Sequence, residues 1–260
     1  MIGGPILGGA ALLKLDPATV NIIAAGNSII YGTGSTDRLT KCWVKLIEQV
    51  DPLLSAGITV NNQGIGGQTI ASVKPGYTSM VNTMASLVNL LSTTKTNVVI
   101  IGEFTNEIGS VMTNTGNGAD GALAHSVWVT YCNNLRAAAA AKGAKILIVT
   151  VSTIPAGQAQ SPDAANIAYT LDVNENGFKV ANILMRNTWR TYADAFIDIA
   201  ALPTFANMYD TSNYTYASLY GSNMYHQLNA FYDGYHPGDA GYAYMATAAP
   251  QVLRRLRRAK

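Results

Sequence analysis

Val20-Asn21-Ile22-Ile23-Ala24-Ala25 empties into Gly26-Asn27-Ser28, and this passage from an apolar run through a glycine to a serine decides how the remaining residues are read. An apolar run of strand length bounded by a turn signal suits a strand buried on both faces, the kind a parallel sheet requires. Similar runs recur at 57–61, 97–101, 145–151 and 195–199. Between them lie longer stretches with apolar residues at helical spacing, at about 38–50, 79–92, 125–141, 174–193 and 239–257. Trp43, Leu46, Ile47 and Val50 show that spacing, Gly143 stands where the third helix would end, and Asp239 stands where the last would be capped. The alternation predicts an α/β fold, a three-layer α/β/α sandwich around a central parallel sheet.

Right-handed crossovers put the C-terminal ends of all parallel strands on one rim. Four segments are therefore expected to converge: Ser28, Asn62 to Thr69, Gly102 to Glu107, and Asp233 to His236. A serine hydroxyl is a poor nucleophile until a base takes its proton, and an imidazole serves as that base once a partner fixes its tautomer. Asp233 and His236 lie three residues apart, so one turn can bring the carboxylate to Nδ1 and leave Nε2 facing Ser28. Acyl transfer also needs donors aimed at the oxygen that becomes negative, for which Gly67, the Asn106 side chain and the Ser28 N–H are suited. Phe104, Glu107 and Tyr235 border these groups in sequence and are the expected substrate contacts.

These residues resemble the SGNH (GDSL-like) hydrolases, esterases and lipases named for Ser, Gly, Asn and His in separate sequence blocks. Gly26-Asn27-Ser28-Ile29 with Gly32 is similar to the first block, Asn62 to Thr69 to the second, Thr105-Asn106-Glu107 to the third, and Asp233-Gly234-Tyr235-His236-Pro237 to the last. The resemblance covers residues 22–242 in the expected order. It implies the flavodoxin-like SGNH fold, Ser28, His236 and Asp233 as the catalytic triad, Gly67 as the oxyanion glycine, and hydrolysis of a carboxylic ester with no metal or organic cofactor. Asn27 stands where the family usually has Asp, Phe104 where it often has Gly, and Glu107 where it usually has Asp.

Composition limits the other classes. Only 12% of the 260 residues are charged, and the formal net charge is +2. Four of the seventeen basic residues fall in Arg254-Arg255-Leu256-Arg257-Arg258, a solvated end for the last helix rather than a face for nucleic acid. Residues Met1 to Leu13 are apolar but Gly-rich, and no stretch reaches the length that crosses a bilayer, so no membrane partner is expected. Residues 1–19 read as an N-terminal arm and 20–260 as one catalytic domain. Cys42 and Cys132 lack metal-ligand spacing and read as buried free thiols. Oligomeric state and compartment stay open, with secretion and a virion surface as the settings considered.

Competing motifs fall short. Ile30 breaks the Gly-x-Ser-x-Gly elbow of α/β-hydrolases, Gly64-Ile65-Gly66-Gly67 lacks the dinucleotide spacing, and Glu103 with Glu107 sits at one strand end rather than across a sugar bond. His125 and His226 have no carboxylate three residues before them and read as structural. Two regions, 109–124 and 202–232, read as long loops, the second carrying tyrosines among Asn, Ser and Thr. Flat aromatic faces with neutral hydrogen-bonding groups suit sugar rings. The expected substrate is therefore a short-chain, acetylated carbohydrate, as a small molecule or polysaccharide ester. A lipase or thioesterase acting on longer chains is the alternative, and a non-catalytic carbohydrate-binding module of a virus tail or cell-surface protein is the alternative of another class.

Overall fold

The computed structural model describes residues 18–50, 59–71, 78–102, 106–108, 120–154, 173–203 and 236–256. Five parallel strands form its centre, in the order β2-β1-β3-β4-β5. They are β1 Val20–Gly26, β2 Val60–Asn62, β3 Thr96–Gly102, β4 Ile146–Val151 and β5 Ala195–Ile197. Side-chain alternation divides each central strand between two cores. Ile22 and Ala24 of β1 and Val98 and Ile100 of β3 face one cluster, while Ile23, Ala25, Val99 and Ile101 face the other. That is why these strands read as unbroken apolar runs.

The first face is covered by a short helix α1, Ser28–Tyr31, with α2 Trp43–Val50, and by two C-terminal helices. The second face is covered by α3 Met80–Asn89, α4 Asp120–Ala141 and α5 Lys179–Thr188. The C-terminal pair is α6 Asp239–Ala246 and α7 Ala249–Leu256, and α6 packs on α2. The fold is the three-layer α/β/α sandwich around a parallel sheet that the alternation predicts.

Local chemistry explains the boundaries. Ser79 caps α3 by accepting from the Val81 and Asn82 N–H groups. Gly143, at φ +76°, carries the chain out of α4. Several elements depart from the expected spans. The stretch 38–42 is turn, so α2 begins at Trp43, and β2 lies at 60–62 rather than 57–61. Helix α4 begins at Asp120, earlier than the periodicity shows. Residues 174–193 divide into a π turn at Val173–Phe178, α5, and a 3-10 turn at Trp189–Thr191. The fifth strand gives way to a 3-10 turn at Ile199–Ala201. The last helix is broken at Thr247-Ala248, because Pro250 has no N–H to continue it and fits only in the first turn of a new one. Gly238, not Asp239, occupies the cap position of α6.

Cys42 and Cys132 are buried free thiols, as expected, and burial raises the pKa of both. Among the described residues no helix is long and apolar enough to cross a membrane. The N-terminal arm through residue 17, most of 109–124, and nearly all of 202–232 with its tyrosines and His226 lie outside the described residues.

Candidate active site

Strand order reverses direction of growth at β1, whose neighbours are β2 on one side and β3 on the other. Such a switch point opens a crevice beyond the C-terminal strand ends. Gly26 and Gly102 are register partners there. A Cβ on Gly26 would stand 1.6 Å from the Gly102 carbonyl oxygen, so a side chain is excluded where β1 turns into α1. Asn27 follows in extended geometry and its Oδ1 accepts the Ile29 N–H at 2.9 Å, which closes the single turn of α1. Ser28 is thereby fixed at the start of that turn, with only 8% of its surface exposed.

The Ser28 Oγ lies 2.9 Å from Nε2 of half-buried His236 across 208 positions of sequence. Two ties hold the segments bearing these groups together. The Asp239 carboxylate, three residues after His236, accepts the Thr36 N–H at 2.8 Å and the Thr36 hydroxyl at 2.7 Å, and pairs with Lys41 at 3.0 Å. The Tyr242 hydroxyl donates to the Thr33 carbonyl at 2.7 Å. Burial alone would raise the Asp239 pKa, but the Thr36 hydrogen bonds and the Lys41 cation outweigh it and hold the carboxyl below its ordinary range.

The loop after β2 is built against the serine segment. The Asn62 amide donates to the Ile30 carbonyl at 2.8 Å while its oxygen accepts the Gly64 N–H at 2.9 Å. The Ile65 N–H reaches the Gly26 carbonyl at 2.9 Å. Gly67 sits at φ +72°, a region that favours glycine. Among the described residues no hydrogen bond uses the Ser28 or Gly67 N–H. The Asn106 Nδ2 donates to the Gln68 carbonyl at 3.0 Å, and that nitrogen carries a second hydrogen.

Ser28 and His236 are in contact, and Gly67 and Asn106 meet through Gln68 on the neighbouring loop. Glu107 departs from the expectation of a substrate contact. It is 2% exposed, and its Oε2 accepts the Ile70 N–H at 2.9 Å and the Ala71 N–H at 3.4 Å. A carboxylate needs such donors when buried, and this one is turned to the backbone. Asp233, Phe104 and Tyr235 lie outside the described residues. His125 is buried, with Nε2 3.0 Å from the Thr188 hydroxyl and its ring edge-on to Tyr192, and burial lowers its pKa. It ties α4 to α5, the structural part read for it. The bridging parts of Asn62, Thr36, Asp239 and Tyr242 were not read from sequence. Only Asn62, a polar residue closing a strand two positions before Gly64, carries a usable signal.

The chain belongs to the GDSL-like lipase/acylhydrolase family, whose model matches residues 22–249, and it is an ester hydrolase of that family. No curated protein matches the sequence. Among solved structures it is similar to a carbohydrate acetylesterase family member from Sinorhizobium meliloti, with 15% identity, 92% of this chain and 99% of that one covered, and a TM-score of 0.61. It is similar also to a carbohydrate acetylesterase from the same organism, at 11% identity, 92% and 99% coverage and a TM-score of 0.59. A member of the lipolytic G-D-S-L family from Veillonella parvula matches at 17% identity over 91% of this chain and 100% of that one, with a TM-score of 0.52.

Proposed function

We propose that ester hydrolysis by this chain runs through Ser28 as nucleophile and His236 as general base, and that the substrate is a short-chain ester, first of all an O-acetylated carbohydrate. The observation that carries the reading is the 2.9 Å separation of Ser28 Oγ and His236 Nε2. With the ring proton on Nδ1, Nε2 accepts the serine proton as Oγ bonds to the ester carbonyl carbon. Asp233 is the residue assigned to Nδ1, where a carboxylate holds the ring and stabilises the imidazolium. The oxyanion is received by the Ser28 and Gly67 N–H groups and by the second Asn106 Nδ2 hydrogen.

Collapse of that intermediate breaks the bond to the alkoxide, which leaves with the proton from Nε2, and an acyl-serine remains. Water then attacks the acyl carbon while giving a proton to His236. The second tetrahedral intermediate releases the acid and returns the proton to Ser28. Every proton is shuttled by one imidazole.

Incubation with a fluorophosphonate followed by peptide mass spectrometry tests this directly. The expected result is modification of Ser28; active enzyme with Ser28 unmodified and another residue labelled would refute the assignment. Two of the similar structures are carbohydrate acetylesterases, which makes acetylated sugars the first substrates to assay. Faster turnover of p-nitrophenyl acetate than of the octanoate is expected, and the reverse order would move the substrate to longer acyl chains.

A further inference from the structure

The loop that carries Gly67 borders a cavity on one side. A cavity of about 160 Å³ lies between this loop and α3, bounded by Ile65 and Gln68 on the loop, by Met80, Thr83 and Leu87 on the helix, and by Tyr131. Close-packed interiors hold a segment by contact on every side. Here Ile70 is buried in the core, the Thr69 N–H donates to the Thr78 carbonyl at 3.0 Å, and the Met80 and Val81 N–H groups donate to the Thr69 and Ile70 carbonyls at 2.8 and 3.1 Å, while the residues just before Thr69 depend on side-chain ties. Gln68 donates through Nε2 to the Thr83 hydroxyl at 2.9 Å, and its carbonyl accepts from Asn106. Just beyond, the Ile70 and Ala71 N–H groups both converge on one oxygen of Glu107.

We infer that Glu107 is a positioning residue for the oxyanion donors. Asn106 and Glu107 are adjacent on one turn and grip the same loop on either side of Thr69, so the turn and the Gly67 N–H move as a unit. The Glu107 side chain is 2% exposed, which leaves water little access to replace it as the acceptor of both N–H groups. Its reach also matters. An aspartate placed here would be one methylene shorter, and it could meet Ile70 and Ala71 only if the loop or the turn moved. This inference rests on the proposed role of Gly67 and Asn106.

The test uses Glu107→Gln, Glu107→Asp and Glu107→Ala, with kcat and KM for p-nitrophenyl acetate, thermal melting, and the rate of fluorophosphonate labelling of Ser28. Loss of one oxyanion donor costs about a hundred- to a thousandfold in kcat, and displacing a donor costs less. The expected result is therefore a kcat lower by roughly ten- to a hundredfold in Glu107→Asp and Glu107→Ala, with KM within about twofold. Glu107→Gln, whose amide oxygen can still accept both N–H groups, is expected to keep kcat within about threefold of wild type. A fall in melting temperature with kcat unchanged in all three variants would make Glu107 a structural residue only and overturn the inference. Should Glu107→Ala not fold, the contrast between Gln and Asp decides, since equal losses in both would overturn the reach argument. Wild-type enzyme that turns over substrate without labelling at Ser28 would instead sink the underlying reading, a failure visible before any Glu107 variant is made.

Discussion

Ser28 is nearly buried, yet its side chain makes only one described hydrogen bond, the one to His236. Its removal takes away a single oxygen and one hydrogen bond from a short turn, so the cost to stability is small. Ser28→Ala is expected to lower kcat for p-nitrophenyl acetate by at least about a thousandfold, with a circular-dichroism melt within a few degrees of wild type. Retention of a tenth of the activity would remove Ser28 from the chemistry. At this scale Ser28 was legible because it ends a buried strand, and His236 only together with Asp233 three residues before it and the other segments expected at the same sheet rim. Their contact follows from topology rather than from either neighbourhood. The orientation of Glu107 was not legible, since three residues of sequence do not say whether a side chain faces the crevice or the loop beside it.

Whole elements meet at this site through glycine and through one exposed carboxylate. Where β1 and β3 pair at Gly26 and Gly102, the 1.6 Å approach leaves no room for a methyl group. Gly26→Ala must push the strands apart at their C-terminal ends. An overpacking cost of about 3 kcal/mol or more is expected, read as a lower urea midpoint with an unchanged m-value. The Asp239 tie behaves differently because it titrates. Its folded pKa lies below the ordinary 3.8, so its contribution is fully present above that value and is lost as pH falls through the lower folded value. The side chain is 35% exposed, which limits the effect. Asp239→Asn is expected to cost at most about 1 kcal/mol near neutral pH, with the difference from wild type shrinking as the pH falls below 3.8. A difference that does not shrink at all as the protein is acidified would assign the loss to packing. Elements with strong periodicity were readable from sequence, while their ends depended on facts with no periodic signal. Pro250 divides the last helix, and Gly238 takes the cap because the Asp239 carboxylate is drawn across to Thr36.

Across the molecule, the sheet separates two cores with different relations to the site. The face under α1, α2 and α6 carries the segments of both Ser28 and His236, and the face under α3, α4 and α5 lies behind the sheet from them. Stability and activity should therefore respond differently on the two sides. Trp128 of α4 is fully buried and donates from Nε1 to the Thr150 hydroxyl at 2.8 Å. Replacing it with phenylalanine opens a void and leaves that hydroxyl unpaired, at an expected cost of about 2–3 kcal/mol. Among the described residues neither group bonds to Ser28 or His236, so kcat/KM at 25 °C should stay within about twofold of wild type. Tyr242 of α6 is equally buried, and its hydroxyl spans to Thr33 on the segment that follows α1. Tyr242→Phe removes one hydrogen bond and no packing, about 1 kcal/mol, but it loosens the link that sets His236 against Ser28. Activity should then fall several-fold, since a small misplacement of reacting groups costs far more in rate than in stability. Urea unfolding and kcat/KM measured on both variants make the comparison. The partition fails if Trp128→Phe loses more activity than Tyr242→Phe, because the sheet would then transmit strain between its faces instead of isolating them.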